Sequence, residues 1–430
     1  MGKVVQFDGS DGKPRPSRGR RRGKRGDKTA LVLGGGGFTG GVYEIGALRA
    51  FDLLAVNRTV NEFDVYVGTS AGSFVASMVA NGVTPEEMMR VLNKALPSPI
   101  EDPRLRTLLR PNYRGLVGGL ARMPLRVIGT LRHLAGNIGE TSMMDVVMGL
   151  TEGLPPGIYN NRGLERYMAE VLSDPDRSND FRELESELRI TATDVDTCER
   201  LVLGTAEFED VPIAKAVSAS TALPMVYEPV ELRGRHLVDG GIISTTNVDV
   251  AVEAGAKFII VVNPLVPYVN DFTTKIPTVF GSRVRRVADM GMPGIGNQAF
   301  RLMAHARLHL AIGSWKERFP DVDIILIEPE LNDELMFGTS ILDYSSRLTI
   351  AKHGFESVTV KLARDYQRYK EVAARHGIEI SARRVRRVLD TIEEEEKGLS
   401  VWRRVLEQTT GALLRQSDEA EEAKAGPLAD

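Results

Sequence analysis

Ala30-Leu-Val-Leu33 is a short unbroken apolar run that stops at Gly34-Gly-Gly-Gly37, and a helical apolar spacing follows from Val42 to Leu54. The pattern predicts a buried strand, a glycine loop and a helix. The same order recurs at once: Phe63-Asp-Val-Tyr-Val67 reads as a strand, Gly68-Thr-Ser-Ala-Gly72 as a tight turn and Phe74 to Val79 as a helix. Further buried strands are predicted at Leu188 to Thr193, Phe258 to Val262 and Ile324 to Ile327. Strands alternating with helices imply a three-layer α/β/α fold with a mainly parallel central sheet. Residues 378 to 415 read as an amphipathic helical region, and a polar stretch runs from Ser417 to Asp430.

Composition narrows the class. The 430 residues are 42% hydrophobic and 26% charged, which excludes a largely disordered or fibrous chain. No run approaches the roughly 18 apolar residues of a spanning helix, and MGKVVQFDGS lacks the apolar core of a signal peptide, so any membrane contact is expected to be peripheral. The single cysteine, Cys198, cannot form an internal disulfide. A cytoplasmic protein is expected on that ground.

Charge is unevenly spread. The net charge is -3, yet residues 1 to 28 carry ten basic and three acidic side chains. That tail has no apolar periodicity and is expected to be disordered, with attraction to anionic lipid as its alternative use. Its arginines have no aromatic residues between them, which argues against specific nucleic-acid binding. From Arg104 to Gly139 there are seven arginines and no acid, interspersed with Leu, Val, Ile and Met. This is the composition of a basic interfacial helix or lid against an anionic membrane, or of a surface cap whose arginines pair elsewhere.

Three constellations carry chemistry. Gly68-Thr-Ser-Ala-Gly72 fits GxSxG between a strand and a helix, where small residues let the chain turn sharply and present the Ser70 hydroxyl. The glycine loop contains GxGxxG at Gly35 to Gly40, but a dinucleotide site needs an acid at the end of the second strand, where Gly68-Thr69-Ser70 stands instead. Free N–H groups at a helix N-terminus also suit an oxyanion beside a nucleophilic serine. Asp239-Gly240-Gly241 follows the strand-like Arg235-His-Leu-Val238, and bare glycines after an aspartate permit close approach of another chain.

In that order these features resemble the patatin-like phospholipase family. The resemblance covers about residues 29 to 365 and includes Thr191-Ala-Thr-Asp-Val-Asp196 and Ala216-Val-Ser-Ala-Ser-Thr-Ala-Leu-Pro224. It implies a serine-dependent lipid acyl-ester hydrolase in which Ser70 is the nucleophile, Asp239 its base, and Gly35, Gly36 and Gly37 line an oxyanion hole. Gly40, Gly68, Gly72, Gly240 and Gly241 are then motif glycines. Members commonly carry Arg or Lys where this chain has Thr39, so a positive charge near the oxyanion is missing. An acyl-serine route requires no cofactor and no metal.

Two other readings stand beside it. An α/β-hydrolase triad would add one of His305, His309, His353 or His376 to Ser70 and Asp239. A non-catalytic lipid-binding protein would keep the fold without turnover. His305 and His309 are four apart on one predicted helix face and form half of a metal site, with no third ligand visible in the sequence. Asp194 and Asp196 are expected to cap a turn, and His236 to be a strand residue near the dyad. The expected organisation is a basic tail at 1–28, a catalytic domain at 29–365 with a helical insertion at about 88–185, a helical extension at 366–416 and an acidic polar tail at 417–430.

Overall fold

The computed structural model describes residues 27–93, 100, 109–113, 115, 117–118, 154–272, 275–277, 283–339 and 343–395. Most of the basic tail, most of Arg104 to Gly139 and the C-terminal polar tail lie outside these residues.

Eight strands make the central sheet: β1 (Lys28–Leu33), β2 (Val65–Thr69), β3 (Glu187–Asp194), β4 (Arg200–Leu203), β5 (Val230–Leu232), β6 (Arg235–Asp239), β7 (Ala256–Val262) and β8 (Asp323–Ile327). Their order is β8-β7-β1-β2-β3-β6-β5, with β4 paired to β3 off this path. The pairs from β8 through β3 are parallel, whereas β4, β5 and β6 join antiparallel. All five strands predicted from apolar runs are present.

Alternate residues along the parallel strands go to opposite layers, as the period of two requires. Leu31, Leu33, Tyr66, Leu188, Ile190, Phe258 and Ile260 face one core, built with helices α1 (Gly37–Leu54), α2 (Ala71–Ala80), α3 (Ile213–Ser220) and, later in the chain, Arg347–Arg364. Ala30, Val32, Val65, Val67, Ile259 and Val261 face the other, built with α4 (Val248–Glu253) and α5 (Gly291–Arg318). Both faces are therefore buried, which is why the strands read as continuous rather than alternating apolar runs. Each such Leu, Ile or Val removed from water contributes about 1.5–3 kcal/mol before the entropy of ordering is counted.

Helix α1 begins five residues before the predicted Val42, inside the glycine run. Glycine is a poor helix former, but a Cβ at Gly40 would stand 3.1 Å from Pro264 and one at Gly41 3.2 Å from Ala71. Close packing of this first turn outweighs propensity. The helix Arg347–Arg364, here α6, lies directly on α1: a Cβ on Gly46 would fall 2.0 Å from the Ala351 carbonyl oxygen. The C-terminal helices join the same core through Tyr369, Ala373, Ile378 and Val385.

Candidate active site

Parallel strands β1 and β2 end side by side, with Leu33 opposite Gly68. The chain then turns through the glycine loop after β1 and through Ser70 after β2. The two loops touch: a Cβ on Gly35 would lie 3.3 Å from the Ser70 Cβ.

Ser70 sits between β2 and α2 with φ 54 and ψ -126, a left-handed conformation that ordinary side chains avoid. Several contacts hold it there. Its N–H donates to the Ser220 Oγ at 2.8 Å, and its carbonyl accepts from the Ser73 N–H at 2.9 Å and the Ser73 hydroxyl at 2.6 Å. The flanking glycines are dictated by space, since a Cβ on Gly72 would lie 2.5 Å from the Leu33 carbonyl oxygen and one on Gly68 2.4 Å from the Ser73 Cα.

Asp239 closes β6 and reaches Ser70 across β3. Its Oδ2 accepts from the Ser70 hydroxyl at 2.5 Å, and its Oδ1 accepts from the Gly241 N–H at 2.7 Å. Its own N–H donates to the Ala222 carbonyl at 2.9 Å. Ser70 is 7% exposed and Asp239 4%. Burial pushes the Asp239 carboxyl up to about 6, while the Ser70 hydroxyl and the Gly241 N–H pull it down. The carboxylate is thus ionised at neutral pH yet far more basic than a surface aspartate.

Of the three loop glycines expected to offer N–H groups, Gly35 donates to the Thr245 carbonyl at 3.1 Å and is spent. Gly34 likewise donates to the Val262 carbonyl at 2.9 Å. The N–H groups of Gly36 and Gly37 meet no acceptor among the described residues, as is normal for the first turn of a helix. Thr39 is buried and its hydroxyl has no partner there. Further along the helix, the Glu44 carboxyl is fully buried, and neither oxygen has a hydrogen-bond partner among the described residues. Burial raises it well above the usual carboxylate range.

Beneath the elbow lies a polar network that the sequence did not single out. Asn247, with no exposed surface, donates to Thr69 Oγ1 at 2.9 Å, Thr191 Oγ1 at 3.2 Å and the Ser244 carbonyl at 3.1 Å. Its Oδ1 accepts from Arg200 at 2.8 Å, and Arg200 also pairs with Asp249. Strands β2 and β3 and the loop after Asp239 are thereby tied together.

The histidines have partners elsewhere. His353 pairs with Asp333, His376 with Asp323, and His309 with Glu328, while the His305 ring lies tilted against that of His309. Among the described residues no histidine bonds Ser70 or Asp239. His236 is exposed on β6 and contacts Asp196 rather than the dyad. Asp194 accepts from the N–H groups of Asp196 and Thr197, the expected turn cap.

Residues 31–252, just over half of the chain, match the sequence model of the family described as patatin-like phospholipase. A relative, "Probable lipid hydrolase 463L" of Invertebrate iridescent virus 6, is 21% identical over 229 residues, 52% of this chain and 63% of that protein. The match therefore spans less than two thirds of the relative. Among solved structures, VipD from Legionella pneumophila aligns over 79% of this chain and 67% of its own at 14% identity and a TM-score of 0.31. The type III effector ExoU, of Pseudomonas aeruginosa, aligns over 79% and 53% at 15% identity and a TM-score of 0.31. With the family's sequence pattern running from the middle of β1 through α4, and so through both Ser70 and Asp239, this chain belongs to the patatin-like phospholipase family.

Proposed function

We propose that the chain hydrolyses acyl esters of lipids through a Ser70–Asp239 dyad, in two half-reactions joined by an acyl-serine. The observation that carries this reading is the buried 2.5 Å hydrogen bond from the Ser70 hydroxyl to the Asp239 carboxylate beside an N–H-rich loop. A serine hydroxyl alone is a weak nucleophile and needs a base within hydrogen-bond reach.

In the first half-reaction the Ser70 Oγ attacks the ester carbonyl carbon as Asp239 takes its proton. The carbonyl oxygen becomes an oxyanion, for which the Gly36 and Gly37 N–H groups are the available donors. Fixed donors of this kind contribute about 3–4 kcal/mol each to a transition state. The intermediate collapses, the C–O bond to the alcohol breaks, and Asp239 returns its proton to the leaving oxygen. In the second half-reaction a water gives a proton to Asp239 and attacks the acyl carbon, releasing the fatty acid and restoring the Ser70 hydroxyl. Thr39 leaves the loop without a side-chain cation, so oxyanion stabilisation rests on the backbone.

An insoluble substrate also demands a surface that meets lipid. Arg104 to Gly139 has the sequence for one, although it lies largely outside the described residues. Helix α5 adds an uncharged exposed stripe at helical spacing: Met292, Ile295, Leu302, Met303 and Leu310. Peripheral attachment is the mode in view, since no helix among the described residues is long and apolar enough to cross a membrane.

The deciding test is fatty-acid release from defined lipid classes by wild type and Ser70→Ala, alongside fluorophosphonate labelling of Ser70. A wild-type protein that neither labels nor releases fatty acid would sink the reading in favour of a lipid-binding role.

A further inference from the structure

We propose that His305, His309 and Glu328 form a binding site for a zinc-class divalent ion that fastens helix α5 to the edge of the central sheet. The two histidines lie four apart on α5, which brings their rings together on one face, with centroids 3.9 Å apart and planes tilted by 37°. The third ligand, invisible in the sequence, comes from the residue that follows β8. One donor atom from each of the three side chains lies within 4.8 Å of the other two.

The spacing suits zinc. Nitrogen and oxygen ligands held tetrahedrally at roughly 2.0–2.2 Å from the ion stand about 3.3–3.6 Å from one another. His309 Nε2 and Glu328 Oε2 are already 3.4 Å apart, within that range. Two imidazoles and a carboxylate favour zinc, cobalt, nickel or copper over calcium or magnesium, which prefer all-oxygen sets. Three protein ligands leave a fourth position, and His309, with a side chain 47% exposed, leaves it open to water.

The surroundings hold the ligands in place. Glu328 has a side chain only 11% exposed, and its other oxygen accepts from Asn263 Nδ2 at 2.7 Å, an outer contact that fixes the carboxylate plane. Arg301, one turn before His305, is buried and donates to the carbonyls of Val266 and Met336, anchoring that turn of α5.

The site also reaches the catalytic loop through protein. Asn263 follows β7, whose Val262 carbonyl accepts from Gly34. On the next turn of α5, Arg307 donates to the Ile242 carbonyl at 2.6 Å, in the segment whose Thr245 carbonyl holds Gly35. An ion here would steady both supports of the glycine loop while standing outside the reaction.

The test uses the full chain freed of any affinity tag and stripped by dialysis against a chelator. Cobalt(II) is titrated while the visible d–d bands are followed, and zinc content is measured by atomic spectroscopy after re-dialysis. One ion per chain is expected, with strong four-coordinate cobalt bands and a melting temperature raised by zinc. His309→Ala, at an exposed position that tolerates truncation, should weaken binding at least tenfold and abolish the zinc-dependent melting shift. Glu328→Gln and His305→Ala should do the same, whereas His236→Ala should bind as wild type does. Absence of saturable binding, or binding unchanged in His309→Ala and Glu328→Gln, overturns the proposal and leaves His309 and Glu328 as a simple ion pair.

Discussion

Ser70 and Asp239 stand 169 residues apart in the chain and 2.5 Å apart in space, with no third side chain between hydroxyl and carboxylate. Strand β3, which pairs with β2 through Thr69–Thr191 and with β6 through Ala192–Asp239, sets that separation. A one-residue slip on either side would turn one of the two groups to the opposite face of the sheet.

Removing either member should therefore remove the reaction. Ser70→Ala and Asp239→Asn are each expected to lower turnover by about 10⁴-fold or more, and the double variant should be little worse than either, because the two act as one unit. Fatty-acid release measures this. Near-normal turnover in Asp239→Asn would dissolve the dyad. Single replacement of His305, His309, His353 or His376 should leave the chemical step intact.

The acid limb follows from Asp239. With its carboxyl near 6, kcat/KM should fall about tenfold per pH unit below that value, as the base protonates. Stability should run the other way. A folded-state value raised above the ordinary 3.8 means that this group's contribution is full below pH 3.8 and lost as pH rises through about 6. Asp239→Asn should hence be more stable than wild type at pH 8, by about 1–3 kcal/mol, with the gap closing below pH 4. Urea denaturation at the two pH values decides it, and an equal gap at both would show that ionisation is not the cause.

The backbone at Ser70 carries a separate cost. A non-glycine residue at φ 54 and ψ -126 gives up about 1–3 kcal/mol that glycine does not. Both Ser70→Gly and Ser70→Ala should be inactive, but the glycine variant should be the more stable by about 1 kcal/mol or more. Equal denaturation midpoints would mean that the surroundings, rather than the side chain's sterics, set the elbow.

Chelation separates reaction from scaffold. Hydrolysis of a soluble short-chain ester should proceed at an unchanged initial rate in EDTA, because the dyad and the loop N–H groups use no ion. Complete, zinc-restorable loss of that rate would overturn the metal-free route, whatever the outcome for His305, His309 and Glu328.

Lipid contact should be separable from chemistry as well. Replacing Arg122, Arg126 and Arg132 by Glu is expected to weaken binding to anionic vesicles at least tenfold, at about 1 kcal/mol per basic residue, and to spare a soluble ester. Leu302→Glu with Leu310→Glu should weaken binding to vesicles of any charge. If deletion of residues 1 to 26 abolishes binding and neither set matters, the basic tail is the contact.

The sequence carried the parallel core well, because strands buried on both faces leave unbroken apolar runs that no other local structure explains so simply. It also carried Ser70 and Asp239, each framed by glycines that mark close backbone approach: a Cβ on Gly240 would fall 2.4 Å from the Thr191 carbonyl oxygen. What stayed hidden depends on neighbours in space. Asn247 and Ser220 are ordinary small polar residues in the sequence, and only the sheet order brings them under the elbow. Glu328 is a third partner for two histidines only because β8 lies beside β7. Gly35 looked like an oxyanion donor because loop composition does not reveal that Thr245 takes its N–H.

The place of β7 has a consequence for the nascent chain. A ribosome delivers Ser70 and Asp239 before it delivers β7, yet β1 is an interior strand whose second neighbour is β7. Until residue 262 has emerged and folded back, β1 presents a bare edge and Gly34 lacks the carbonyl that holds the start of the glycine loop. Ser70 is thus made early and the loop beside it is fixed late. A chain with the proposed lipid-hydrolase activity would complete this loop only after residue 262 of 430 has been made.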